Sequence, residues 1–231
     1  PGGIKHDIAP QSGELIFNWL TKELPSVLTE IEDLLTENRI FKSRTVGIGV
    51  IEAQDAVAAG FSGVNLRAGG VKWDLRISEP YEIYDALSFD MPLKTQGDCY
   101  ARYLLRIFEI YQSMSIIRQI LDILPEGDVI LPEFSLRDEE DSLTELSRRF
   151  ELYGAGTPVP AGEVYAATES PLGEFGVFLV SDGTEKPYRC HFRSAGFPVM
   201  QALDKLTAGC DLADVRPILS SLNIITTETD R

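Results

Sequence analysis

The chain has 231 residues, with 36 Asp and Glu against 21 Lys and Arg, a formal net charge of −15 and an isoelectric point near 4.5. Hydrophobic residues make up 44% and charged residues 25%, which is globular composition. The acid excess argues against nucleic acid as a ligand and against direct adsorption on an anionic lipid surface, since both draw on clustered Lys and Arg. No apolar run approaches the roughly 18 to 20 residues that span a bilayer. The opening PGGIKHDIAP has neither the character of a targeting segment nor an initiator Met, so we expect a processed protein or a piece of one.

Residues 12 to 36 read as a helix. Leu15, Trp19, Leu20, Leu24, Val27, Leu28, Ile31, Leu34 and Leu35 keep a 3.6-residue stripe, and Pro25 predicts a kink or two shorter helices. The stretch TVGIGVI (45–51) is short, β-branched and punctuated by glycine, with a brief helical piece following to about Ala59. Residues 60 to 97 are rich in loop-forming residues. Leu66, Val71, Trp73, Leu75, Tyr81 and Tyr84 nevertheless make the segment too apolar for a free linker. A long irregular segment that packs usually shapes a site or meets a partner.

Asp98 reads as the N-cap of the clearest helix, which runs to about Leu124 and is ended by Pro125 and Gly127. From Glu126 to Glu145 there are eight acidic residues and one basic residue, Arg137, the pattern of a solvated surface excursion. A helix is expected around 141 to 152. Period-two patterning then marks strands at Val164 to Thr168, Glu174 to Ser181 and Tyr188 to Phe192, the last two joined as a hairpin by SDGTEKP. Two short helices, about 197 to 208 and 211 to 221, precede the polar tail.

Candidate chemistry is sparse. Cys99, Cys190 and Cys210 are far apart and form no CxxC pair, and His6 and His191 are the only histidines. A self-contained transition-metal site is thereby argued against, and a reducing compartment fits. Cys190 and His191 are adjacent in a strand and point to opposite faces, so they cannot act as a dyad. Cys99 at a helix start reads as a packed residue. Asp98, Arg102 and Arg106 share one helix face at i, i+4 and i+8. They are candidates for ion pairing to a neighbouring element or subunit, with a solvated face as the alternative. LRAGGVKWDLR carries Arg67, Lys72, Asp74 and Arg76 among glycines, but without a GxGxxG or GxxxxGK[ST] pattern it reads as structural loop chemistry. No complete catalytic constellation is present.

Several stretches, in series, carry a resemblance. TENRIFKSRTVGIGVI, GFSGVNLRAGGVKWDLR, EPYEIYDALSFDMP, GDCYARYLLRIFEIYQSMSIIRQIL, ESPLGEFGVFLVSDGTEKPYRCHFR, LADV and the final DR resemble the 49-kilodalton, or D-type, subunit family of respiratory complex I. The resemblance spans residues 1–231 except the acidic 126–145 insertion, and corresponds to the C-terminal half of the family protein.

The resemblance implies an α+β, mainly helical fold: the C-terminal half of a nickel-iron hydrogenase large-subunit-like fold, with a small antiparallel sheet near the C-terminus. It implies one component of proton-pumping NADH:ubiquinone oxidoreductase, which forms the quinone-reduction chamber with its missing N-terminal half and an iron–sulfur subunit. Alternatives are a scaffold half-subunit of the peripheral arm without quinone contact, and a membrane-bound hydrogenase-type subunit, which the absence of tail cysteines argues against.

The implied cofactors are a [4Fe–4S] cluster on the adjacent subunit and quinone as substrate, with none bound by this chain. The implied partners are a separately encoded N-terminal half, the 20-kilodalton B-type iron–sulfur protein, the 30-kilodalton C-type protein, the membrane-arm quinone-channel subunit and ubiquinone, with no nucleic acid. The implied location is the matrix-facing arm at the mitochondrial inner membrane, or alternatively the cytoplasmic face of a bacterial plasma membrane.

By the same resemblance the tail Asn223, Ile224, Ile225 and Thr226 lines the chamber. The family pattern there is Asp-Ile-Val-Phe-Gly-Glu-Val-Asp-Arg. Asn223 stands for the Asp, Ile225 for the Val, and Thr226-Thr227 for Phe-Gly. The Asn removes a charge while keeping hydrogen bonding.

Overall fold

The computed structural model describes residues 6–125 and 158–225, and between them only residues 127, 129, 147, 150, 154 and 156. The expected helix around 141 to 152, the acidic insertion and Thr226 therefore lie outside the described residues, or almost wholly so.

The N-terminal helical stretch is two helices joined by a wide turn. Helix α1 (Pro10–Asn18) passes into a π-helical turn, Trp19–Glu23, and then into α2 (Leu24–Leu35). Pro25 stands in the first turn of α2 and has no N–H to give the preceding turn, where the Leu20 carbonyl accepts instead from Arg118 Nη2 at 2.8 Å. The break expected at Pro25 thus appears one turn earlier, where the Leu24 N–H bonds to the Trp19 carbonyl five residues back. The stripe buries Leu20 and Leu28 against Met114, while Leu15, Trp19, Val27 and Leu34 are left exposed.

Asn38 caps α3 (Arg39–Ser43), its Oδ1 accepting from the Ile40 and Phe41 amides. TVGIGVI forms no strand; it is a loop with Gly47 and Gly49 at positive φ. Helix α4 (Ala53–Ala58) follows as expected. The 60–97 segment holds α5 (Gly63–Arg67), α6 (Leu75–Ser78) and a 3-10 turn at Tyr84–Ala86, and it packs. All five residues of α5 are buried, as is Leu75.

Helix α7 (Cys99–Ile123) is the spine. Asp98 caps it and ties it to the 47–51 loop: Oδ1 accepts from the Ala101 amide at 2.7 Å, and Oδ2 from the Gly47 amide at 2.8 Å. Its buried residues are Cys99, Ala101, Arg102, Leu105, Ile107, Met114 and Ile116. The expected stripe is only partly the buried one, because Ile110, Tyr111 and Ile117 stay about one-third exposed.

The sheet is antiparallel with strand order β1-β2-β3: β1 Gly162–Ser170, β2 Gly173–Ser181 and β3 Arg189–Arg193. Cys190 pairs with Leu179 and His191 with Phe178, so the two lie on opposite faces. The β1–β2 turn meets the start of α5 backbone to backbone. Gly63 and Gly173 lie too close for a Cβ on either, and the Ser62 hydroxyl accepts from the Glu174 amide at 2.9 Å. That junction delivers the end of β1 to the side of α7.

The first of the two expected closing helices is divided into α8 (Gly196–Gln201) and α9 (Leu203–Thr207); the second is α10 (Leu212–Leu222), with Pro217 inside it. The main core gathers Ile51, Phe61, Leu66, Val199, Leu206, Ile218 and Leu222 between α4, α5, α8, α9 and α10, with Cys99 at the start of α7.

Candidate functional site

Two clefts meet beside the C-terminal end of α10. The larger, about 520 Å³, lies between α3, the first turns of α7 and α10, and is lined by Phe41, Arg44, Tyr103, Arg106, Arg216 and Asn223 among others. The second, about 350 Å³, lies between α7 and the β1–β2 turn, and is lined by Arg67, Arg76, Arg106, Glu109, Glu169 and Asn223 among others. Arg106 and Asn223 line both.

Asn223 is the C-cap of α10 and sits in the left-handed region with φ 55° and ψ 46°. An Asn tolerates that conformation better than a branched residue. Just before it, the Leu222 carbonyl accepts from the buried Asn65 amide at 3.3 Å, tying the helix end to α5. Of the resemblance-derived tail, Asn223 thus faces the clefts, Ile224 packs against the core and Ile225 is 41% exposed.

The Asp98, Arg102 and Arg106 face is an internal one. Arg102 is fully buried, and no carboxylate lies within ion-pair distance of it among the described residues. Its guanidinium instead donates to the Gly97 and Gly49 carbonyls at 2.8 and 2.9 Å, to Ser221 Oγ at 3.1 Å and to Cys99 Sγ at 3.3 Å. Burial pulls its pKa down from the usual arginine value. Those bonds clamp the loop before α7, the 47–51 loop and the last turn of α10 around one side chain.

Arg106, one turn on, is half-buried and donates to the Arg102 carbonyl at 3.2 Å. Burial first, and then the neighbouring Arg102 cation, bring its pKa down to about 10, so it remains charged at neutral pH.

The second cleft opens onto a buried ion network that local reading of the sequence missed. Arg67 is 2% exposed and donates to Glu109 Oε1 at 2.6 Å, to Glu169 Oε1 at 2.8 Å and to the Trp73 carbonyl at 2.9 Å. Asp74, fully buried, lies 3.5 Å from Arg67 and accepts a two-pronged bond from Arg76 at 3.0 and 2.7 Å. Burial pushes Asp74 up, but the Arg76 and Arg67 cations outweigh it and hold the carboxyl below its usual value. For Glu169 burial wins over Arg67 and the pKa is raised. Two arginines face three carboxylates here, and Arg106 lines the same cleft. Glu109 and Glu169 stand 42 and 102 residues from Arg67, so no local spacing could have announced them. Lys72 has no part in the network.

Among the described residues no cluster of three or more His, Cys, Asp or Glu could hold a metal ion, and no helix is long and apolar enough to cross a membrane. Cys99 is enclosed at the start of α7 and accepts hydrogen bonds from Arg102 and Ser221.

Comparison with known proteins sets this geometry in a family. The family described as "Respiratory-chain NADH dehydrogenase, 49 Kd subunit" matches residues 1–231. The chain belongs to it. The D subunit of the NADH-quinone oxidoreductase of Wolbachia pipientis wMel is 48% identical over 237 residues, covering 100% of this chain and 60% of that protein. That of Caulobacter vibrioides is 47% identical over 238 residues, and the first D subunit of Rhizobium meliloti 50% identical over 240, each again covering 100% of this chain and 60% of the relative. The chain thus spans 60% of the length of the curated relatives it matches.

Proposed function

We propose that the chain contributes one wall of the quinone-reduction chamber of a membrane-bound NADH:quinone oxidoreductase, within a hydrogenase-large-subunit-like fold. The observation that carries this is the placement of Asn223. It stands at the junction of the two clefts, in a chain matched throughout to a family whose relatives are named for quinone reduction.

A quinone ring is flat and apolar, with two carbonyl acceptors. The Asn223 amide supplies a donor for one carbonyl, and the exposed Ile225 supplies apolar wall. Reduction takes two electrons and two protons per quinone, the electrons arriving from an iron–sulfur cluster on a neighbouring subunit. This chain's part is to bind and orient. The remainder of the family polypeptide and the 20-kilodalton iron–sulfur subunit supply the other walls, with the 30-kilodalton subunit and a membrane-arm quinone-channel subunit as further partners. The setting is the matrix face of the mitochondrial inner membrane or, equally, the cytoplasmic face of a bacterial plasma membrane.

The test is native purification from membranes followed by photolabelling with a quinone analogue. Co-migration with NADH:quinone reductase activity and a label within residues 223–225 support the reading. A stable isolated monomer overturns membership of the complex, and a complex labelled only on other chains reduces this one to scaffold.

A further inference from the structure

We propose that the larger cleft is an acceptor for a carboxylate presented by the stretch of the family polypeptide that lies outside these 231 residues. The proposal rests on the reading of the chain as part of that subunit.

The cleft is cationic in a chain of net charge −15. Arg44, Arg106 and Arg216 line it, and the buried Arg102 stands behind it. Among the described residues only Arg44 has an acidic partner, Asp214 Oδ1 at 2.9 Å from its Nη2. Neither Arg106 nor Arg216 has a carboxylate within ion-pair distance among the described residues. Arg106 matters most because it is half-buried. A guanidinium carries five N–H donors, and among the described residues this one spends a single bond, on the Arg102 carbonyl.

None of the Arg106 nitrogens is both sealed from water and unpartnered, so its idle donors are open to a ligand, and the planar fork of arginine suits a carboxylate held in two-pronged fashion. The walls choose the source. Phe41, Tyr103 and Pro217 make the cleft largely apolar, the setting for a side chain arriving on a packed segment rather than for a freely exchanging ion. The relatives carry a large stretch that this chain does not, since it covers 60% of their length. A wall of the same subunit is the segment with standing reason to pack here.

The experiment uses the assembled complex carrying Arg106→Lys, treated with a water-soluble carbodiimide. The reagent adds to a carboxylate to give an O-acylisourea, the amine attacks the acyl carbon to form an amide bond, and the reagent is expelled as its urea, carrying the water formally lost. The pair Lys205–Asp55, whose Nζ and Oδ1 are 2.6 Å apart, is an internal positive control. The expected result, read by peptide mass spectrometry, is a new link from position 106 to an Asp or Glu of that stretch, at a yield comparable to the control.

Coupling only to Glu109, to this chain's own Glu228 or Asp230, or to another subunit overturns the assignment. So does absence of any link at 106 while Lys205 and Asp55 couple. Arg106→Ala is expected to lower the amount of assembled complex at least several-fold, with Arg106→Lys restoring it; equal assembly in both also overturns the proposal. If no complex forms even with the unaltered chain, the functional reading has failed instead.

Discussion

Gly97→Ala tests whether the start of α7 is fixed by backbone packing. Gly97 has φ +64°, and a Cβ there would fall inside the Ile51 carbonyl oxygen. Placing an L-residue in the left-handed region costs roughly 1–2 kcal/mol. Relieving the overlap means shifting a residue whose backbone is held by three bonds. Those are the Gly97 amide to the Ala68 carbonyl at 2.8 Å, the Ile51 amide to the Gly97 carbonyl at 3.1 Å, and the Arg102 guanidinium to the same carbonyl at 2.8 Å. At about 1 kcal/mol each, their loss adds roughly 3 kcal/mol, for a total of about 4–5 kcal/mol.

Gly47→Ala is the matched control, with φ +71° and nothing within 4 Å of the new Cβ, so only the conformational cost applies. Pulse proteolysis across a urea series, reading the intact chain in the assembled complex, measures both. A difference below about 1 kcal/mol between the two variants would refute the packing account, since the three bonds alone are worth roughly 3.

Three further outcomes are expected. Arg67→Ala strands Glu109 and Glu169, while Asp74 keeps Arg76, and is expected to cost about 3–5 kcal/mol in the same assay, with Arg67→Lys recovering little because one ammonium cannot reach Glu109 and Glu169 together. Asp74 has a folded pKa below its ordinary 3.8, so its contribution is complete above 3.8 and fades as pH falls through the folded value. The midpoint of the unaltered chain should therefore drop more steeply below pH 3.8 than that of Asp74→Asn, and parallel curves would count against a strong Asp74–Arg76 pair. Ile225→Phe should leave assembly intact while shifting the quinone KM or inhibitor response by about 3- to 10-fold, equivalent to roughly 1 kcal/mol; unchanged steady-state kinetics would remove Ile225 from the chamber.

What the sequence disclosed divides by range. Elements with their own punctuation were legible: Asp98 as cap, Pro125 as stop, and the period-two strands that pair as β1, β2 and β3. TVGIGVI looked β-branched, yet Gly47 and Gly49 turn the chain with positive φ so that Asp98 and Arg102 can reach its backbone. The charged face of α7 was visible as a spacing, but its direction was not. Spacing says which residues share a side, and only packing says that Arg102 lies enclosed among carbonyls. The network around Arg67 was out of reach altogether, because Glu169 is brought to it by the docking of Gly63 on Gly173 and Glu109 by the packing of α5 against α7.

Because Arg106 and Asn223 belong to both clefts, the two spaces have two side chains in common. Neither chamber can be resized alone by changing either residue. Mutagenesis at 106 or 223 will report on a sum of two volumes, and separating them requires substitutions at the far ends, such as Phe41 on one side and Ser170 on the other.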